Sequence, residues 1–263
     1  MAASYPVLPG AEPWSSPGAG DRARIGIATI HGFTGSPVSM RTLAEALAAR
    51  GFAVELPRLP GHGTHWRDMQ RTRYADWRSE VVRTLDRLRE RCDTVVLVGL
   101  SLGGTLVLDV AAERGKDVAA VVSINAAVLD REGLVAKLAP FLEKIIPVVP
   151  AKAAGLAKND IAKGGDEQAY ERVPAAAGNS VMRELPRVRS ALANLRVPVL
   201  VAWSRQDHSV PPENSRAILR LAENAKLTEL CLERSYHVAT MDYDFDLLVD
   251  KIAELADRVA AER

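Results

Sequence analysis

The sequence predicts an α/β fold, a mostly parallel sheet covered by helices on both faces, and three observations support it. Short runs of Val, Ile and Leu alternate with amphipathic stretches along most of the chain. Most of the runs are largely apolar, as expected of strands buried on both faces. One of them, TVVLVGL at 94–100, stops abruptly at a serine set among glycines.

The first two dozen residues are rich in Pro, Gly, Ala and Ser and read as an irregular leader. ARIGIATI (23–30) is a strand ending at His31-Gly32, and PVSMRTLAEALAARG (37–51) a helix with Met40, Leu43 and Leu47 on one face. FAVELP (52–57) is a strand followed by the loop RLPGHGTH. Residues 74–91 form a helix with Trp77, Val81, Leu85 and Leu88 on one stripe. A strand at 94–99, a helix from Gly103 and a strand at 118–126 follow. Further strands are expected at 197–204 and 227–234, and a final helix starts near Leu247.

Residues 127–196 show no clear strand, and an insertion of that length between two strands is expected to form a helical cap. The domain reading is therefore a core of 1–126 and 197–263 with a cap of 127–196. Within the cap, Leu134, Leu138, Phe141, Leu142 and Ile145 fall on one helical face, with Lys137 and Lys144 elsewhere. That face reads either as cap core or as a lipid-facing lip, and Pro140 argues against one continuous helix.

A chain of 263 residues, 48% hydrophobic, can bury a large core, and a formal net charge of +1 offers no electrostatic reason to expect nucleic acid as a partner. Arg67, Arg71, Arg73 and Arg78 are interspersed with Asp68, Asp76 and Glu80, which describes a solvated helix face. Cys92 and Cys231 stand far apart and in no C-x-x-C arrangement, so neither a disulfide framework nor a zinc site is expected. No apolar stretch is long enough for a membrane span, and none at the N-terminus resembles a signal sequence. A cytoplasmic protein without metal or organic cofactor is expected.

Gly99-Leu100-Ser101-Leu102-Gly103 matches the G-x-S-x-G nucleophile elbow, with a strand before it and a helix after it. The chain reverses so sharply there that residues two before and two after the serine nearly touch, which demands glycine. A serine hydroxyl needs a base to take its proton, and the base needs an oriented partner. In the order Ser…Asp…His of such hydrolases, His237 lies in the loop after the last strand. Asp207 lies at the carboxyl end of 197–204, with Pro211 and Pro212 placed to open the next helix. Asp130 is the competing acid, while Asp242, Asp244 and Asp246 read as capping or solvating the final helix. Two N–H donors must hold the oxyanion, and the expected pair is Leu102, after the nucleophile, and Phe33 in HGFTGSP. His31 is expected to brace that loop, and His62 and His65 to pack theirs.

With these residues in place the chain resembles the α/β-hydrolase superfamily, and more narrowly the bacterial monoacylglycerol lipases. The segments that carry the likeness include YPVLPGAEP, HGFTGSPVSMR, LPRLPGHGTHWRDM, GLSLGGTL, INAAV, QAYERVP, DHSVPPEN and SYHVATMDYD. The similar thermostable carboxylesterases share HGFTGSP and GLSLGG. The resemblance implies an α/β-hydrolase fold with a small cap and a Ser101–Asp207–His237 triad. It also implies oxyanion donors Phe33 and Leu102, and a cap glutamate, Glu167, on the glycerol hydroxyls. The implied substrate is a lipid ester, with transient contact between the cap and lipid surfaces. The rival readings are a general carboxylesterase on short chains and, in another class, a non-catalytic ligand receptor. Epoxide hydrolases and dehalogenases of this fold need a carboxylate where Ser101 stands.

Overall fold

The structure is a computed structural model that describes residues 5–130, 143 and 145–262. The cap positions 134, 137, 138, 140, 141, 142 and 144 singled out above lie outside the described residues, whereas Ile145 is inside them and exposed.

Nine strands and seven α-helices are described. In chain order they are β1 Trp14–Ser16, β2 Ile25–Ile30, α1 Val38–Ala49, β3 Ala53–Leu56, α2 Trp66–Met69, α3 Tyr74–Arg89, β4 Thr94–Leu100 and α4 Leu102–Arg114. There follow β5 Ala120–Ile124, β6 Val148–Pro150, β7 Arg172–Pro174, α5 Ala175–Ala191, β8 Val199–Ser204, α6 Glu213–Leu221, β9 Leu227–Leu232 and α7 Phe245–Ala261. Seven strands form one sheet in the order β1-β3-β2-β4-β5-β8-β9, all parallel except the antiparallel edge strand β1.

The apolar runs are explained by the two layers they feed. Along β4, Val95 and Leu97 point into a core shared with α3, α4, α5 and α6, including Trp77, Leu85, Leu106, Leu185 and Ile218. Val96, Val98 and Leu100 point into the opposite core with Met40 and Leu43 of α1 and Leu248 and Ile252 of α7. A period of two applied to a strand covered on both sides leaves no polar position.

Two expectations are corrected. The leader is not wholly irregular, because Trp14–Ser16 pairs with β3. Nor is 127–196 strandless, because β6 and β7 form an antiparallel pair there. Both features are three-residue strands, too short for any period to show in the residues. Helix α5 keeps Pro186 inside it and still buries Val181, Leu185 and Val188. It is clamped to the core by Arg187, whose guanidinium donates to both oxygens of the buried Asp109 at 2.8 Å. Tyr74 Oη and Arg78 Nε donate to the same carboxylate at 2.9 and 3.0 Å.

Candidate active site

The strand ends set the site, since β2, β4, β5, β8 and β9 all finish on the same edge of a parallel sheet. At the end of β4, Ser101 takes φ 56° and ψ −121°, a left-handed conformation that costs a non-glycine residue about 1–3 kcal/mol. Its backbone N–H donates to Ile124 O at 2.8 Å, so β5 helps hold the turn. A Cβ on Gly99 would lie 2.2 Å from the Gly103 carbonyl, and one on Gly103 would lie 2.1 Å from Ile30 O. The glycines therefore let β4, α4 and β2 converge beneath the serine. Leu102 is the first residue of α4, where a backbone N–H has no partner within the helix. Gly32 lies over the elbow, its would-be Cβ 3.2 Å from Ser101 Cβ, which brings the 31–37 loop and Phe33 beside the serine.

Asp207 and His237 meet from the ends of β8 and β9. Asp207 Oδ2 is 2.7 Å from His237 Nδ1, and both side chains are buried. Asp207 Oδ1 accepts the Ser209 and Val210 N–H groups at 2.8 and 2.7 Å, which fixes the carboxylate in its own loop. With Nδ1–H donated to the acid, Nε2 is left as the basic nitrogen. Burial pushes the imidazole pKa down, but Asp207, through charge and hydrogen bond, and then Glu167 and Asp160 outweigh it, so the pKa is raised. Asp130, the competing acid, instead pairs with Arg189 at 2.9 Å.

Asn125, which no motif singles out, joins these parts. It follows Ile124 at φ 48° and donates from Nδ2 to His237 O at 2.7 Å and to Ser204 Oγ at 3.0 Å. Its Oδ1 accepts the Ser204 N–H at 2.7 Å, and Ser204 Oγ donates onward to Tyr236 O at 2.8 Å. The only sequence signal was position, directly after a strand in INAAV.

The loop after β2 is braced as expected. His31 Nδ1 meets Gly32 O at 3.0 Å, and Nε2 accepts the Leu59 N–H at 3.1 Å, so the ring is neutral. Complete burial holds its pKa at about 4. Phe33 packs its ring 5.6 Å from that of Trp77. His62 is buried between these rings, and His65 caps α2 by accepting the Arg67 N–H at 3.1 Å.

Glu167, in the segment between β6 and β7, reaches the same loop, with Oε2 3.6 Å from where a Gly35 Cβ would stand. Burial raises its pKa, opposed by the neighbouring His237. Asp242 and Asp244 do more than solvate a helix. Asp242 is buried and accepts N–H groups from Ala162, Lys163 and Tyr236, and Asp244 accepts from Arg234 and Ser235. Among the described residues no group of three His, Cys, Asp or Glu side chains is arranged to hold a metal ion, and no helix is long and apolar enough to cross a membrane.

Comparison with known proteins places this geometry. The model of the alpha/beta hydrolase family matches residues 27–251. A thermostable monoacylglycerol lipase of Bacillus sp. (strain H-257) is 39% identical over 97% of both chains. A carboxylesterase of Bacillus subtilis (strain 168) is 25% identical over 91% of this chain and 94% of its own. Among solved structures, one from work on two metagenome-derived lipolytic enzymes superposes with a TM-score of 0.88 at 37% identity, over 96% of this chain and all of its own. The monoacylglycerol lipase of Paleococcus ferrophilus shares the fold with a TM-score of 0.75 at 20% identity, over 94% and 99% of the two chains. An elbow serine above a mostly parallel sheet and these matches over nearly the whole chain lead to one conclusion: the chain belongs to the alpha/beta hydrolase family.

Proposed function

We propose that this protein is a serine hydrolase that cleaves monoacylglycerols to fatty acid and glycerol. The observation that carries the chemistry is the left-handed Ser101 at the elbow, in a fold that also buries an Asp207–His237 pair. Ser101 Oγ attacks the ester carbonyl carbon while His237 Nε2 takes the hydroxyl proton. The N–H groups of Phe33 and Leu102 hold the oxyanion, a contribution of about 3–4 kcal/mol for a single donor. His237 then gives its proton to the departing glycerol oxygen. Water, deprotonated by the same nitrogen, attacks the acyl carbon and releases the fatty acid and Ser101. Asp207 keeps the imidazole in the required tautomer throughout.

The monoacylglycerol assignment draws on the 39% identical lipase and on Glu167, whose carboxylate lies beside the 31–37 loop, where glycerol hydroxyls would be met. Residues 127–196 act as the cap over the acyl channel, and Ile145 and Ile146, 78% and 47% exposed, give it an apolar edge for lipid surfaces. The free Cys92 and Cys231 fit a reducing cytoplasm. The second reading, a general carboxylesterase, rests on the relative of that name.

Two measurements test the proposal. A fluorophosphonate probe should label the wild type and leave Ser101→Ala untouched, with turnover lost by about 10³-fold or more. Retention of a tenth of wild-type turnover would overturn the nucleophile. Turnover of a monoacylglycerol against the matching simple alkyl ester then separates lipase from carboxylesterase, since equal rates favour the latter.

A further inference from the structure

We propose that Asp160, a cap residue, is a positioning residue that holds the loops carrying Asp207 and His237 in register with each other. The proposal rests on the assignment of those two residues as acid and base. Asp160 is 7% exposed and lies in the segment between β6 and β7. Its Oδ2 accepts the His208 N–H at 3.0 Å, directly after the acid, and the His237 N–H at 3.4 Å, on the base itself. Its Oδ1 meets His208 Nδ1 at 2.7 Å, and its backbone carbonyl accepts the Val238 N–H at 3.0 Å. One residue thus binds both loops through four donors.

The surrounding contacts repeat the pattern. The His208 ring stands edge-on to Tyr236, with centroids 4.6 Å apart. On one side of Asp160, Ala157 N–H donates to Ser209 Oγ at 3.3 Å. On the other, Ala162 and Lys163 donate to Asp242, which also accepts the Tyr236 N–H. The cap segment 157–163 is therefore stitched to both loops, and Asp160 is where the stitches meet.

A buried carboxylate is costly to retain unless its charge or its acceptors are used. Asp160 Oδ1 meets the His208 ring, and among the described residues no Lys or Arg pairs with the carboxylate. The charge sits instead near an imidazole that becomes cationic when Ser101 loses its proton. The groups facing His237 are Asp207 from its own layer and Glu167 and Asp160 from the cap, and all three favour the protonated ring. Loop register and imidazolium stabilisation are then two consequences of one side chain.

Asp160→Asn and Asp160→Ala, made in the full chain, separate these effects. The assay uses a soluble short-chain aryl ester, with thermal melting and fluorophosphonate labelling as controls. Asp160→Asn keeps the shape and one acceptor but removes the charge, so the acidic limb of kcat/KM should move to lower pH. Asp160→Ala removes the tether too, and kcat should fall about tenfold or more with KM changed less than about twofold, as expected when catalytic groups lose alignment. A wild-type kcat in folded Asp160→Ala overturns the proposal, even if melting is lowered, and where that variant fails to fold the same result in Asp160→Ser overturns it. An unmoved acidic limb in folded Asp160→Asn overturns the imidazolium stabilisation. Failure of the underlying reading looks different, since there turnover would survive in Asp207→Asn.

Discussion

Asp207 spends its two carboxylate oxygens on different tasks: Oδ2 meets His237 Nδ1 at 2.7 Å, while Oδ1 is saturated by the Ser209 and Val210 N–H groups. Asp207→Asn therefore keeps the loop but can offer its NH₂ to Nδ1, which selects the wrong imidazole tautomer. The expected loss in kcat is about 10⁴-fold with little change in melting temperature, as for triads of this kind. Steady-state kinetics with a soluble ester check it, and a loss below tenfold would reassign the acid.

The acidic limb of kcat/KM should lie above the 6.5 of a free imidazole, because the proposed mechanism needs a neutral His237 and its pKa is raised. Stability should also fall on acidification. His31 takes up a proton near 6.5 when unfolded and only at about 4 when folded. Its contribution is present above 6.5 and is lost as pH falls towards 4, by about 3 kcal/mol, with His62 acting in the same direction. The raised pKa of His237 opposes this, stabilising below 6.5 and fading as pH rises through its folded value. Urea midpoints from pH 8 to 4.5 should fall on acidification, and His31→Gln should flatten the decline.

Glu167→Ala should weaken hydrolysis of a monoacylglycerol more than that of an aryl ester, because only the former presents hydroxyls to the carboxylate. About tenfold selective loss corresponds to one charged hydrogen bond. Equal losses on the two substrates would remove its glycerol role.

Gly103→Ala should fail to accumulate as folded protein, since its Cβ would sit 2.1 Å from Ile30 O and 2.7 Å from His31 O, both backbone atoms. Soluble expression and circular dichroism are sufficient readouts. A folded, active variant would show that β2 and α4 can separate at the elbow.

What could be read from the residues was local or periodic. The Val/Ile/Leu runs gave the strands because a strand buried on both faces leaves nothing polar to display, as Val95 and Val96 show by entering opposite cores. Ser101 was legible because the elbow needs glycine at fixed offsets, and His237 and Asp207 because each follows a recognisable strand. The strands β1 and β6–β7 escaped because three residues carry no period.

Beyond that, the residues that tie the site together were decided by tertiary structure alone. Asn125 finds its partners at Ser204 and His237, Asp160 at His208 and His237, and Asp242 at Ala162 and Tyr236. These contacts join separate strand ends and the segment between β6 and β7. A hydrogen bond depends on distance in space, and nothing in the spacing of an Asn or Asp along the chain states which loop the fold will bring against it. Sequence by itself determined the sheet and the elbow that carries its serine. Tertiary structure decided how Asp207 and His237 are held, because that depends on loops meeting across the sheet's edge.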